Sequence, residues 1–333
     1  MRSARTTNCL RHSVLSSTSR HEYRHIYPAS FHSIASRASS HSPSKDARII
    51  KPSDTLENSS INAPATFPEP ISVPERDPDK ALVKYLLAVG KTYLGFYKAG
   101  AKKIWHNRKT MAGIQRKLAP KYGTSYPVIV SKVDTADITR SQFQLLHRTR
   151  LDLKKLPIFG LIFLVCGEFT PLVAGFMTGI MPFTCRLPKQ IESSRQKLET
   201  RRRISFRNLT EIPAAGKRDV HDLGRMQLLH ISWSLGLCSS AWDWLGGRLP
   251  GLPTPLLRRR VSATTRYLDL DDRLIARYGG VRKMDLRELE VACVERGLDI
   301  VGRREGQLRD QLKLWIEMTT KAKVQSTSLL LTR

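Results

Sequence analysis

The chain has 333 residues with 56 Lys and Arg against 29 Asp and Glu, a formal charge of +27, and it is 41% apolar but only 7% aromatic. That length allows one large domain or two small ones, and five cysteines (9, 166, 185, 238, 293) without a C-x-x-C pair exclude a zinc ribbon or a disulfide framework. Residues 264–333 hold 14 basic and 11 acidic side chains, so nearly all the excess lies upstream. A field of that size draws a polyanionic neighbour, either nucleic acid or an anionic membrane surface.

Residues 1–45 carry seven basic residues against the single acid Glu22, twelve serines and five of the nine histidines. This is the composition of a mitochondrial presequence, basic and without the apolar core of a secretory signal; a disordered basic tail is the alternative. From 46 to 79, Pro52, Pro64, Pro68, Pro70, Pro74 and Pro78 fall among Ser, Asn and Glu, which predicts a disordered, proline-rich linker.

Residues 80–155 are expected to be a basic, amphipathic helical region. Between Lys80 and Val133 there is no acid, while Leu82, Tyr85, Leu86, Val89, Tyr93, Phe96, Gly100 and Ile104 form one apolar stripe at helical spacing. Lys84, Lys91, Lys98, Lys102 and Lys103 are interleaved with it, as in a helix lying on an anionic membrane, or as the solvated face of a bundle helix. A second helix is expected from Thr139, whose hydroxyl caps Gln142 while the Gln142 side chain returns the bond.

Residues 156–185 contain fourteen Leu, Ile, Val or Phe and one charged side chain, Glu168. At roughly −0.3 to −0.6 kcal/mol each they favour insertion by about 4 to 8 kcal/mol, more than one ionisable group at about +3 kcal/mol cancels. The expectation is a single transmembrane helix, kinked at Pro171 and Pro182, with a core helix of a soluble domain as the alternative. Glu168, just before Pro171, is a candidate intramembrane acid, for proton and cation exchange or for structural pairing with a basic flank such as Lys155. Basic residues flank both ends, so local charge does not set the orientation.

Residues 186–331 form the C-terminal module. Arg201, Arg202 and Arg203 are followed by a Leu- and Trp-rich helical pattern over 219–245, whose Trp233, Trp242 and Trp244 suit interfacial anchors or packing residues equally. After a Gly/Pro turn at 246–255, Arg258, Arg259 and Arg260 open a helix that reaches Tyr278 and closes on Gly279-Gly280. A helix capped by Asp285 with Glu288 at its third position stops at Gly297. An extended link, 298–302, then leads to a last helix with Leu308, Leu312 and Trp315 on one face.

Several of these residues carry a resemblance: Asp271-Asp272-Arg273-Leu274-Ile275, Leu286-Arg287-Glu288-Leu289, Arg296-Gly297 and Leu308-Arg309-Asp310-Gln311-Leu312 before Trp315. Together they resemble the mitochondrial ribosome-binding domain of the Letm-type (leucine-zipper, EF-hand, transmembrane) inner-membrane proteins. Thr139-Arg140, Asp152, Leu156-Pro157 and Glu168-Phe169 with Pro171 resemble the family's helix and span, and the likeness runs from about residue 81 to 331. The helix, extended loop and helix at the end also resemble the small SAP modules that bind nucleic acid. The chain lacks a long heptad run and any D-x-[DN]-x-[DN]-G calcium loop, so it is most similar to the short branch of the family, and calcium dependence is not carried over.

The resemblance implies a mostly α-helical protein: a mitochondrial inner-membrane span with a matrix ribosome-binding domain supporting synthesis and assembly of respiratory-chain proteins. Arg201, Arg202, Arg203, Arg258, Arg259 and Arg260 are the candidate contacts to ribosomal RNA, by salt-sensitive phosphate binding. The expected partners are the mitochondrial ribosome, anionic inner-membrane lipids and a second copy of the chain, with no small-molecule substrate, cofactor or metal. The alternative implied by the family is potassium/proton exchange and volume control through Glu168 in an oligomer, and a third reading is a structural factor without ribosome contact. No phosphate-binding glycine loop or H-E-x-x-H motif occurs, so no enzyme is expected.

Overall fold

The computed structural model describes residues 60–76, 82–166, 179–207, 209, 219–237 and 252–332. All of them belong to the compact unit Ile50–Arg333. The presequence expected at 1–45, Glu168, Pro171, Trp242 and Trp244 lie outside the described residues.

The described residues are helical with no strand. Helix α1 (Leu82–Tyr122) is 41 residues long, about 60 Å at 1.5 Å per residue, and Gly123 at φ +75° ends it. Helix α2 (Tyr126–Lys132) turns the chain into α3 (Arg140–Cys166). At the start of α3 the expected capping box is present, with Gln142 N–H donating to Thr139 Oγ1 and Thr139 N–H donating to Gln142 Oε1, both 3.2 Å. Helices α4 (Pro188–Arg207), α5 (Arg225–Ser234), α6 (Thr254–Arg277), α7 (Leu286–Glu295), α8 (Glu305–Thr320) and the short α9 (Ser326–Leu330) follow.

The main core gathers Leu257, Val261, Leu268, Leu274 and Ile275 of α6 with Leu289 and Cys293 of α7, Leu308, Leu312 and Trp315 of α8, and Phe143 and Leu146 of α3. Positive φ at Gly279 and Gly280 turns the chain after α6, and Gly280 N–H reaches the Ile275 carbonyl at 2.8 Å. Asp285 caps α7 by accepting from Glu288 N–H at 2.8 Å, and Gly297 at φ +76° stops it. The expected helix, link and helix at the C-terminus is therefore present.

Two expectations differ from the structure, and a third lies partly outside the described residues. The linker 46–79 is not featureless throughout: Ile61, Ala63, Thr66 and Phe67 are buried, and a 3-10 turn at Pro64–Thr66 straps the unit. The apolar stripe of α1 divides in two. Phe96, Tyr97, Gly100 and Ile104 pack inside the protein, whereas Leu82, Val83, Leu86 and Leu87 near its N-terminus are exposed.

The expected span 156–185 is described only over 156–166 and 179–185. No helix among the described residues is long and apolar enough to cross a membrane. Helix α3 is described as far as Cys166, and where the described chain resumes at 179 it lies beside the earlier turns of α3. The Asp152 carboxylate accepts from Phe183 N–H at 2.6 Å and from the Thr184 hydroxyl at 3.2 Å. Met181 and Cys185 pack in a second apolar cluster with Phe96, Tyr97, Ile104 and Phe159. The close approach depends on Gly100, where an added Cβ would lie 2.7 Å from Cys185 Sγ and 3.0 Å from the Thr184 carbonyl oxygen. Gly100→Val is expected to cost about 1–3 kcal/mol by overpacking, read as a lower urea midpoint, while Gly113→Val, in open space, should leave the midpoint unchanged or slightly higher because valine is the better helix former.

Candidate functional surfaces and the buried ionic core

Arg140, Gln144, His147 and Arg148 recur on α3 at helical spacing and meet the polar face of the C-terminal helices. Arg140 donates through Nε to Asp271 at 2.9 Å and through Nη1 to Glu288 at 3.0 Å and to the Ile61 carbonyl at 2.8 Å. Arg148 grips Glu288 through both terminal nitrogens, at 2.8 and 2.9 Å, and also donates to Thr66 Oγ1. Arg296 joins Asp271 at 2.7 Å to Asp272 at 2.8 Å, and the Trp315 indole donates to Asp272 at 3.0 Å. These six charged side chains are all buried.

Buried ions lose their hydration, so such a cluster is tolerable only when its charges are paired. Here the charges balance, three guanidinium groups against three carboxylates, and backbone groups fill further sites, as when Ala63 N–H donates to Glu288 at 3.0 Å. Burial pushes the Glu288 carboxyl up, but Arg148 and Arg140 outweigh it and hold it at about 2. Asp271 is likewise held well below the usual carboxylate range, because Arg140 and Arg296 overcome its burial. The cluster thus ties the strap, α3 and the C-terminal domain together. Most charged residues that carried the family resemblance turn out to be interior struts.

His147 lies in the same core, stacked on Tyr267 with ring centroids 3.9 Å apart. Burial first, and then the neighbouring Arg148, pull its pKa down to about 3. The unfolded imidazole binds a proton near pH 6.5 and the folded one does not, so stability is complete above that pH and falls as pH drops toward 3. The expected slope approaches 1.4 kcal/mol per pH unit. His230, also lowered by burial, adds to it in the same direction. Urea midpoints between pH 7 and 5 check this: His147→Gln should flatten the slope without abolishing it.

The residues expected to contact RNA divide between surface and interior. Arg202 is buried, pairing with Glu199 at 2.7 Å and donating to the Ser234 and Leu298 carbonyls, so it is corrected from a surface contact to a strut. Arg201 is half-buried, and the exposed Arg203 is bridged to Glu199 and Asp299. Arg258 is half-buried, Arg259 is exposed, and the exposed Arg260 donates to the Leu237 carbonyl at 3.0 Å. On α1, Lys84, Lys91, Lys98 and Lys102 are exposed, whereas Lys103 is half-buried and paired with Glu69 at 2.5 Å. Trp233 is half-buried on α5.

Reading runs of consecutive arginines missed a different arrangement. Arg259, Arg266, Arg273 and Arg277 on α6 are all exposed. At about 100° per residue their spacings of seven, seven and four place them within about 40° of one another, the first three at intervals of about 10.5 Å. Arg266 donates to Ser262 Oγ, Arg273 to the Asp269 carbonyl and Arg277 to Thr135 Oγ1. Asp269, on the same side of the helix, has its carboxylate bonded to Ser326. No carboxylate pairs with these four arginines among the described residues. A period of seven was legible in the sequence, but the intervening Asp269, Asp271 and Asp272 made the segment look nearly neutral. The last two point into the core. Among the described residues there is no cluster of His, Cys, Asp or Glu able to hold a metal ion.

Residues 249–333 match the family model described as "LETM1-like, RBD", the ribosome-binding domain, and residues 77–218 match the model described as "Pentamidine resistance factor domain". The class is therefore that of proteins with a LETM1-type C-terminal domain. The LETM1-like assignment rests on residues 249–333, which carry that domain. It is similar to a Drosophila melanogaster protein named mitochondrial proton/calcium exchanger protein, 46% identical over 80 residues, which are 24% of this chain and 8% of that one. It is also similar to the LETM1 domain-containing protein mdm28, mitochondrial, of Schizosaccharomyces pombe, 23% identical over 279 residues, 70% of this chain and 55% of that one. The matched stretch thus spans about half of the fission-yeast relative and under a tenth of the fly relative. No solved structure matches.

Proposed function

We propose that the protein is a mitochondrial membrane-bound ribosome tether: it holds the mitochondrial ribosome by its C-terminal domain and supports synthesis and assembly of respiratory-chain proteins. The observation that carries this reading is the arginine stripe of α6, exposed and without carboxylate partners, on the domain that matches the ribosome-binding model. Guanidinium groups at regular intervals bind RNA phosphates with little regard for sequence.

The membrane side of the tether is the apolar end of α1 and α3. Ile158, Leu161, Leu164 and Val165 are exposed on α3, as are Leu82, Val83, Leu86 and Leu87 on α1, and Lys84 and Lys91 supply charge for anionic headgroups. Because Asp152 binds Phe183 and Thr184, the apolar stretch leaves and returns at one level. Lys154 and Lys189, at the two ends of the stretch, are therefore expected on one side of the membrane, in keeping with basic residues at both flanks. Cysteines introduced at Lys154 and Lys189 in reconstituted vesicles should react with an impermeant maleimide together, in the same vesicles; labelling of only one in sealed vesicles contradicts a one-sided arm.

The tether is tested by flotation. Ribosomes should rise with anionic vesicles only when the protein is added and should stay down without it; vesicles that float with the protein but never with ribosomes contradict the reading. The fly relative's name favours a second reading, cation/proton exchange with Glu168 as the acid. Proteoliposome flux abolished by Glu168→Gln would support it.

A further inference from the structure

A cavity of about 290 Å³ lies beside the base of the apolar arm, where α3, the returning segment, α4 and α7 meet. Leu151, Leu198, Val291 and Val294 form an apolar wall, and Lys155 and Arg186 stand on its polar side. The other charges around it are already engaged. Arg148 is spent on Glu288, Arg195 pairs with Glu290 at 3.0 Å, and Glu295 accepts from Tyr267 at 2.9 Å. The Asp152 oxygens are taken by Phe183 and Thr184. Lys155 has no hydrogen bond or ion pair among the described residues, and Arg186 donates only its Nε, to the Met181 carbonyl at 3.3 Å.

Lys155 and Arg186 share one nearby carboxylate, Asp152, whose oxygens are already hydrogen-bonded elsewhere, so two adjacent half-buried cations beside an apolar wall still favour a further anion. We propose that this cavity binds a phosphate-bearing amphiphile, its phosphate between Lys155 and Arg186 and its acyl chain along Leu151, Leu198, Val291 and Val294. Burial, and after it Arg186, push the Lys155 ammonium down to about 8 against the opposing pull of Asp152, the direction expected of a cation whose charge is incompletely balanced. The site goes beyond the tether reading: it holds one molecule at a defined place, whichever partner the α6 stripe takes.

The test uses the detergent-solubilised full chain titrated calorimetrically with dioctanoyl phosphatidic acid, inorganic phosphate and dioctanoylglycerol. The lipid phosphate should bind saturably at one site, at least tenfold more tightly than inorganic phosphate, with dioctanoylglycerol silent. Lys155→Gln should weaken it at least tenfold while leaving the unliganded melting temperature unchanged or higher, because an unpaired cation has been removed. Leu198→Trp, which fills the apolar wall, should weaken the lipid but not inorganic phosphate. Equal binding of lipid and inorganic phosphate would overturn the amphiphile, and undiminished lipid binding in Lys155→Gln would overturn the site.

Discussion

Glu288→Ala is expected to destabilise the protein by about 3–5 kcal/mol, because it strands two buried guanidinium groups together. Arg140 and Arg148 would each lose their contact with this carboxylate, and Ala63 N–H, which holds the strap, would lose its acceptor. In urea the loss should appear as a large fall in midpoint. In heat it should appear as a drop on the order of 10 °C for a unit of this size. Arg148→Ala should be similarly damaging, but the double variant should cost much less than the sum, since each single change leaves a charge the other would have removed. Glu305→Ala offers the contrast: its pair with Arg309 is exposed, and the change should cost less than about 1 kcal/mol. Similar losses for Glu288→Ala and Glu305→Ala would contradict the interior role of the cluster.

The second large effect is on binding. Arg259→Glu, Arg266→Glu and Arg273→Glu together should reduce affinity for mitochondrial ribosomes by about 100-fold or more, because three phosphate contacts become three repulsions. The three side chains are exposed and contribute no buried pairing, so the melting temperature should change little. Arg201→Glu alters a half-buried residue on α4 and should affect binding far less. Full binding by the triple variant would remove α6 from the interface.

Much of the C-terminal domain was legible from local chemistry. The cap at Asp285, the stop at Gly297 and the spacing of Leu308, Leu312 and Trp315 each depend on neighbours a few residues away, and each stands as expected. The ionic core was not legible as such, although most of its residues were singled out. Arg140 and Asp271 are 131 positions apart, and nothing local says that a motif arginine faces inward. The strap was hidden for the same reason: its prolines suit an unstructured linker until α3 and α7 supply donors and acceptors for Ile61, Ala63 and Thr66. Hydropathy correctly found the apolar stretch but could not show that Asp152 would draw Thr184 back to its own level. Among the arginines, adjacency was a poor guide. Arg202 turned inward while its neighbour Arg203 stayed out, and helical periodicity along α6 carried the useful signal.

The most direct measurement is sedimentation of the solubilised full chain with purified large subunits of the mitochondrial ribosome, at 50 and 200 mM salt, for the wild type and the α6 triple variant. The wild type should co-sediment at low salt and lose affinity by roughly 40-fold at high salt, as about three phosphate contacts require. The triple variant should remain at the top of the gradient at both. A wild type that fails to co-sediment at 50 mM salt, or a triple variant that follows the ribosome as well as the wild type, would contradict a ribosome tether built on this stripe.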